Sequence, residues 1–200
     1  MKGIRISPGF WVPVLWFGAV NGWRLLGIVL AAAFVHELGH CLVLVLMGAR
    51  ITGLRLGVLG AVLETDSSRL SYARELLAAL AGPGANLTAA WLLGRVLGAS
   101  AASGAHLVLA LFNLLPVWPL DGGRALALAV AWMVGPEAAD QAVRWAGGVS
   151  ALALAVALTA LMAWSGGSLW LLPAACGLLT HGVQLWKGEK GWSGIVFSAK

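Results

Sequence analysis

The chain is expected to be an all-α polytopic membrane protein. It should form a bundle of six transmembrane helices with a small membrane-associated β element between spans two and three. Three observations predict this. Of 200 residues, 60% are apolar and only 10% are charged, against about 25% charged in an average soluble protein. The mean hydropathy is +0.88. Six stretches also approach the roughly 20 apolar residues that a bilayer crossing requires, at about 10–23, 25–48, 76–97, 105–133, 145–164 and 169–186.

The first stretch follows Lys2 and Arg5 and so begins like a signal peptide. It is interrupted by Pro8 and Pro13, however, and has no small-residue cleavage site before Trp23 and Arg24. A retained span is therefore expected. Between the second and third spans, residues 51–64 are rich in glycine and β-branched side chains, which predicts an extended hairpin. Open strand edges are not tolerated against lipid, so this piece should pack on protein, line a cavity or lie at the surface. The third span carries the small-residue run Ala81-Gly82-Pro83-Gly84-Ala85-Asn86, suited to close helix approach. The fourth is broken by Pro116, Pro119, Gly122 and Gly123, and an unwound stretch at membrane depth must line a polar cavity or be buried in protein. The remaining loops are short and there is no repeat or Pro/Ser linker, so residues 1–200 read as a single domain.

Positive charges set the orientation. With the N-terminus in the cytoplasm, Lys2, Arg5, Arg50, Arg55, Arg69, Arg74, Arg144, Lys187, Lys190 and Lys200 fall inside, and only Arg24 and Arg95 fall outside. Both termini are accordingly expected in the cytoplasm. The basic residues form no block, so nucleic-acid binding is not suggested. Trp11, Trp23, Trp145, Trp164 and Trp186 near run ends fit an interfacial belt. Cys41 and Cys176 lie in apolar runs and read as packed thiols.

Chemistry concentrates in the second span, at His36-Glu37-Leu38-Gly39-His40. Residues four apart share a helix face, so both imidazoles can reach one metal ion, with Glu37 placed to take a proton from water. Ionisable groups in a bilayer cost at least about 2.5–3.5 kcal/mol each and need partners. Among the acidic residues only Glu37 and Asp121 lie within apolar runs. Catalytic zinc usually has three protein ligands, so Asp121 is the expected third; the bland alternative is that it caps a helix at Leu-Asp-Gly-Gly. Asn113 can donate to substrate or to a developing oxyanion, or can equally hold helices together. Asn86 can pack or help to hold substrate. His106 and His181 can each be an extra ligand or a proton-path residue but read first as satisfied core histidines. Arg124 reads as a boundary charge, and Arg69, Arg74 and Glu75 as interfacial charges.

These motifs together resemble the site-2 protease family of intramembrane zinc metalloproteases. The resemblance rests on His36–His40, on Gly82-Pro83-Gly84-Ala85-Asn86 and on Phe112-Asn113-Leu114-Leu115-Pro116-Val117-Trp118-Pro119-Leu120-Asp121-Gly122-Gly123-Arg124. The last phrase looks most like the sporulation branch. The resemblance implies one Zn2+ held by His36, His40 and Asp121, a water activated by Glu37, and substrate binding or transition-state support from Asn113 and Asn86. It implies that residues 51–64 can receive substrate as an added strand. It also implies a membrane-associated protein substrate, in that branch a sigma-factor precursor, and regulatory membrane proteins that hold the protease inhibited, in a bacterial cell membrane. The CBS domain typical of that branch and the PDZ modules of others are not found in these 200 residues.

The reaction expected is hydrolysis of a peptide bond in or near the membrane. Two rivals belong to other classes: a membrane zinc transporter or metal-binding protein, which would spread its polar residues along a path, and a non-catalytic membrane scaffold, which would not need Glu37.

Overall fold

The structure, a computed structural model, describes residues 4–57, 60–66, 70–117 and 120–164. The chain is mostly helical: α1 (Pro8–Asn21), α2 (Trp23–Leu46), α3 (Tyr72–Leu97), α4 (Ala101–Asn113), α5 (Asp121–Met133) and α6 (Pro136–Trp164), with short strands β1 (Ile4–Ile6), β2 (Arg50–Gly57) and β3 (Gly60–Asp66). It divides into two compact units, Met1–Leu114 and Leu115–Lys200.

In the first unit, α2 carries an apolar face turned outward. Leu30, Phe34, Leu38 and Leu42 recur every fourth residue and are 42%, 64%, 48% and 62% exposed, whereas Ala32, His36 and Leu44 are buried on the other side. This pattern, with bulky apolar side chains outside and small or polar ones inside, fits a helix surrounded by lipid. Gly39 lets α3 approach: a Cβ there would lie 2.6 Å from the carbonyl oxygen of Ala81 and 2.8 Å from Cβ of Ala85. Leu44, Leu70 and Ala78 close the core where α2 ends. The segment expected to be extended holds β2 and β3, an antiparallel hairpin with a register shift between Ile51 and Gly53. Strand β1 adds to β2 in parallel, giving the order β1-β2-β3.

In the second unit α5 packs on α6. Buried positions of α6 include Ala139, Val143, Gly147, Ala151 and Ala155, spaced four apart, with Gly148 beside them; α5 buries Ala127, Leu128 and Ala131. Small side chains on a four-residue ridge allow close contact.

Among the described residues, three helices are long and apolar enough to cross a bilayer: Trp23–Leu46, Tyr72–Leu97 and Pro136–Ala160. With their exposed apolar faces they make this a membrane protein. The six expected spans are not reproduced as such among the described residues. The first is the 14-residue α1, ended by Gly22 at a φ of 89°. The expected span 105–133 is two helices of 13 residues each. At 1.5 Å per residue each is about 20 Å long, short of the hydrocarbon thickness of about 30 Å. The cause is local: Pro116 lacks the N–H that continues a helix, and its ring crowds the preceding turn. Helix α6 begins at Pro136, ahead of the expected start at 145, because proline is tolerated in a first turn and the polar stretch after it still buries Ala139 and Val143. The expected span 169–186, with Cys176 and His181, lies outside the described residues. Glu75, expected as an interfacial charge, is buried at 3% exposure near the start of α3.

Candidate metal centre

Helical spacing puts His36 and His40 one above the other on the face of α2 that meets α3. Their Nε2 atoms converge to 3.2 Å. Two ligands at about 2.0–2.1 Å on a tetrahedral ion would stand about 3.3 Å apart, so the spacing fits zinc. Each ring is also held from behind. Nδ1 of His40 lies 2.8 Å from the carbonyl oxygen of Ala78, so a proton on Nδ1 is donated there and Nε2 is left as the lone-pair nitrogen. The imidazole rests directly on bare backbone, because a Cβ built on Gly82 would collide with His40 Nε2 and lie 2.7 Å from Cδ2 and Cε1. Glu37, half-buried, follows His36 on the same helix. The small-residue run of α3 therefore has a specific use: Gly82 makes room for the His40 ring.

Nδ1 of His36 meets Asn86, whose Nδ2 is 3.2 Å away. Asn86 is fully buried, at 0% exposure, and its Oδ1 lies 2.9 Å from Nδ1 of His106 on α4. Thus the first unit brings His36, His40, Asn86 and His106 together. Asn113, at the end of α4, is half-buried and donates from Nδ2 to the Leu109 carbonyl of its own helix at 3.0 Å. In the second unit Asp121 is the first residue of α5, half-buried and followed by the buried Gly122 and Gly123. His106 is buried and hydrogen-bonded, as expected of a core histidine, but motif reading did not connect it to the histidine pair. Its partner is on another helix, and the available signal was an ionisable side chain in an apolar segment.

No protein-family model matches the chain. It is 30% identical over 141 residues to stage IV sporulation protein FB of Bacillus subtilis, which covers 62% of this chain and 46% of that protein. The chain thus spans about half the length of that curated relative. Among solved structures it is similar to the site-2 protease from Methanocaldococcus jannaschii, with a TM-score of 0.65, 21% identity and coverage of 93% of this chain and 92% of that one. The likeness in fold extends over nearly the whole chain.

Proposed function

We propose that this chain is an intramembrane zinc metalloprotease of the site-2 type, hydrolysing a peptide bond of a membrane-associated protein. The observation that carries the reading is the convergence of two imidazole Nε2 atoms at 3.2 Å inside an apolar helix, with a glutamate beside them. The shared fold and the sporulation relative support it.

In this reading His36, His40 and Asp121 hold the ion; two imidazoles and a carboxylate form a donor set suited to zinc. Bound zinc would supply Lewis acidity that makes water a nucleophile near neutral pH and polarises the scissile carbonyl. Glu37 takes the proton from the attacking water and returns it to the leaving nitrogen. Asn113 donates to substrate or to the developing oxyanion. The substrate must be unwound at the cut, because a helix engages its carbonyls in hydrogen bonds. The hairpin β2–β3 would receive it as an added strand. The sporulation resemblance makes a sigma-factor precursor the first substrate to test, with the interval between α2 and α3 on the cytoplasmic side as its setting.

Co-expression with candidate precursors tests this. Glu37→Gln is expected to abolish cleavage while zinc stays bound, and normal cleavage by that variant would remove Glu37 as the base. Asp121→Asn is expected to lower zinc content per chain, and unchanged stoichiometry would take Asp121 out of the ligand set.

A further inference from the structure

We infer that His106 is a positioning residue for the metal centre: through Asn86 it fixes the orientation and tautomer of the ligand His36. The inference rests on the metalloprotease reading and adds to it a residue outside the HExxH, GPGAN and LDGG motifs.

Its basis is a buried chain of three polar side chains, His106, Asn86 and His36, from three different helices. His106 is 6% exposed, Asn86 0% and His36 5%. In a dry interior an unmade hydrogen bond costs about 1–3 kcal/mol, so the donors and acceptors along the chain must match. A neutral imidazole has one N–H and one lone pair. For His36 to give its Nε2 lone pair to a metal ion, the proton must sit on Nδ1, and that proton needs an acceptor. Oδ1 of Asn86 can be this acceptor if the amide takes the orientation that turns its oxygen to His36. Its Nδ2 then faces Nδ1 of His106 and must donate to it. The opposite orientation is the one seen in this structure, with Nδ2 3.2 Å from His36 Nδ1 and Oδ1 2.9 Å from His106 Nδ1. It donates to His36 Nδ1 and leaves the proton on His36 Nε2. Metal binding therefore requires the amide to turn over, which exchanges O and N without moving the heavy-atom outline. His106 selects between the two: with its own proton on Nε2 it offers a lone pair at Nδ1 and favours the turned amide, whereas with the proton on Nδ1 it donates to Oδ1 and favours the other. Because both faces of the Asn86 amide are engaged, its role is to support the site and not to touch substrate.

A packing role and a relay role predict opposite orders among substitutions. His106→Leu keeps bulk and removes the acceptor. His106→Asn loses bulk but places an amide oxygen near the position of the imidazole Nδ1. The readout is zinc affinity of the detergent-solubilised full chain by chelator competition, with thermal stability of the zinc-free protein measured alongside. Loss of a partner behind a metal-bound histidine typically costs 10–100-fold in affinity. His106→Leu is expected to fall in that range, and His106→Asn to stay within about threefold of the wild type. Affinity held by leucine but lost in asparagine, or unchanged in both, overturns the inference. If the leucine variant does not fold, a tenfold loss in His106→Asn alone overturns it, and retention supports it. A wild-type chain that takes up no zinc would instead remove the metalloprotease reading on which all this stands.

Discussion

At the scale of single residues, the centre depends on a side chain that is missing. Gly82 has no Cβ, and His40 occupies the space one would fill. Withdrawing the α3 backbone would open the packing of Gly39 on Ala81 and Ala85 in the same interface. Gly82→Ala should therefore push the His40 ring aside. Overpacking typically costs about 1–3 kcal/mol, which corresponds to roughly 5- to 150-fold in a binding constant. A loss of zinc affinity in that range is expected. Gly84→Ala is the control, because a Cβ there meets nothing within 4 Å. Equal zinc affinity of the two variants by chelator competition would show that Gly82 does not shape the site.

At the scale of elements, β3 pairs with β2 on one side, and no described strand pairs with its other side. An edge strand presents alternate N–H and C=O groups to its partner and to the open side. Proline scanning through Ala61, Val62, Leu63 and Glu64 should thus give a period of two. Proline facing β2 removes a hairpin bond, and limited proteolysis should reveal a loosened hairpin. Proline facing outward leaves the hairpin intact but should block strand addition, lowering cleavage of a precursor at least about tenfold. Outward positions that cleave normally would separate substrate binding from this edge. Elements also show what the sequence could and could not reveal. The histidine pair was legible because four-residue spacing is a property of one helix, and the hairpin region because glycine and β-branched residues break helical patterning. The interruption after Asn113 was legible from Pro116, but its consequence, two short helices in place of one span, was not. Hydropathy averages across a break that hydrogen-bond geometry enforces. The early start of α6 was hidden for the converse reason, because residues 136–144 are polar in composition yet helical. His106 was hidden most completely: its meaning depends on Asn86, twenty positions away and on another helix.

At the scale of the whole molecule, the direction of α2 fixes the depth at which chemistry would occur. Counting along the helix at 1.5 Å per residue, His40 lies about 9 Å and His36 about 15 Å from the Leu46 end, and His36 about 20 Å from the Trp23 end. The site is therefore nearer the end that leads into β2 and β3. Helix α3 runs back the other way, with Arg74 near its start and Arg95 in its last turn. Arg50, Arg55 and Arg69 fall between the two helices and Arg74 in the first turn of α3, whereas Arg95 is alone in the stretch that follows. Positive residues are retained in the cytoplasm, so the interval 47–71 should be inside, and the histidine pair should be reached from that side. Single cysteines at exposed positions Ser71 and Ala99, in a chain with Cys41→Ser and Cys176→Ser, provide the measurement. A membrane-impermeant maleimide applied to intact bacterial cells should label Ala99→Cys and spare Ser71→Cys until the cells are opened. The reverse labelling would put the hairpin and the nearer approach to the centre on the outer face. It would then exclude a cytoplasmic precursor as the substrate, while leaving the chemistry of Glu37 and the histidines unaffected.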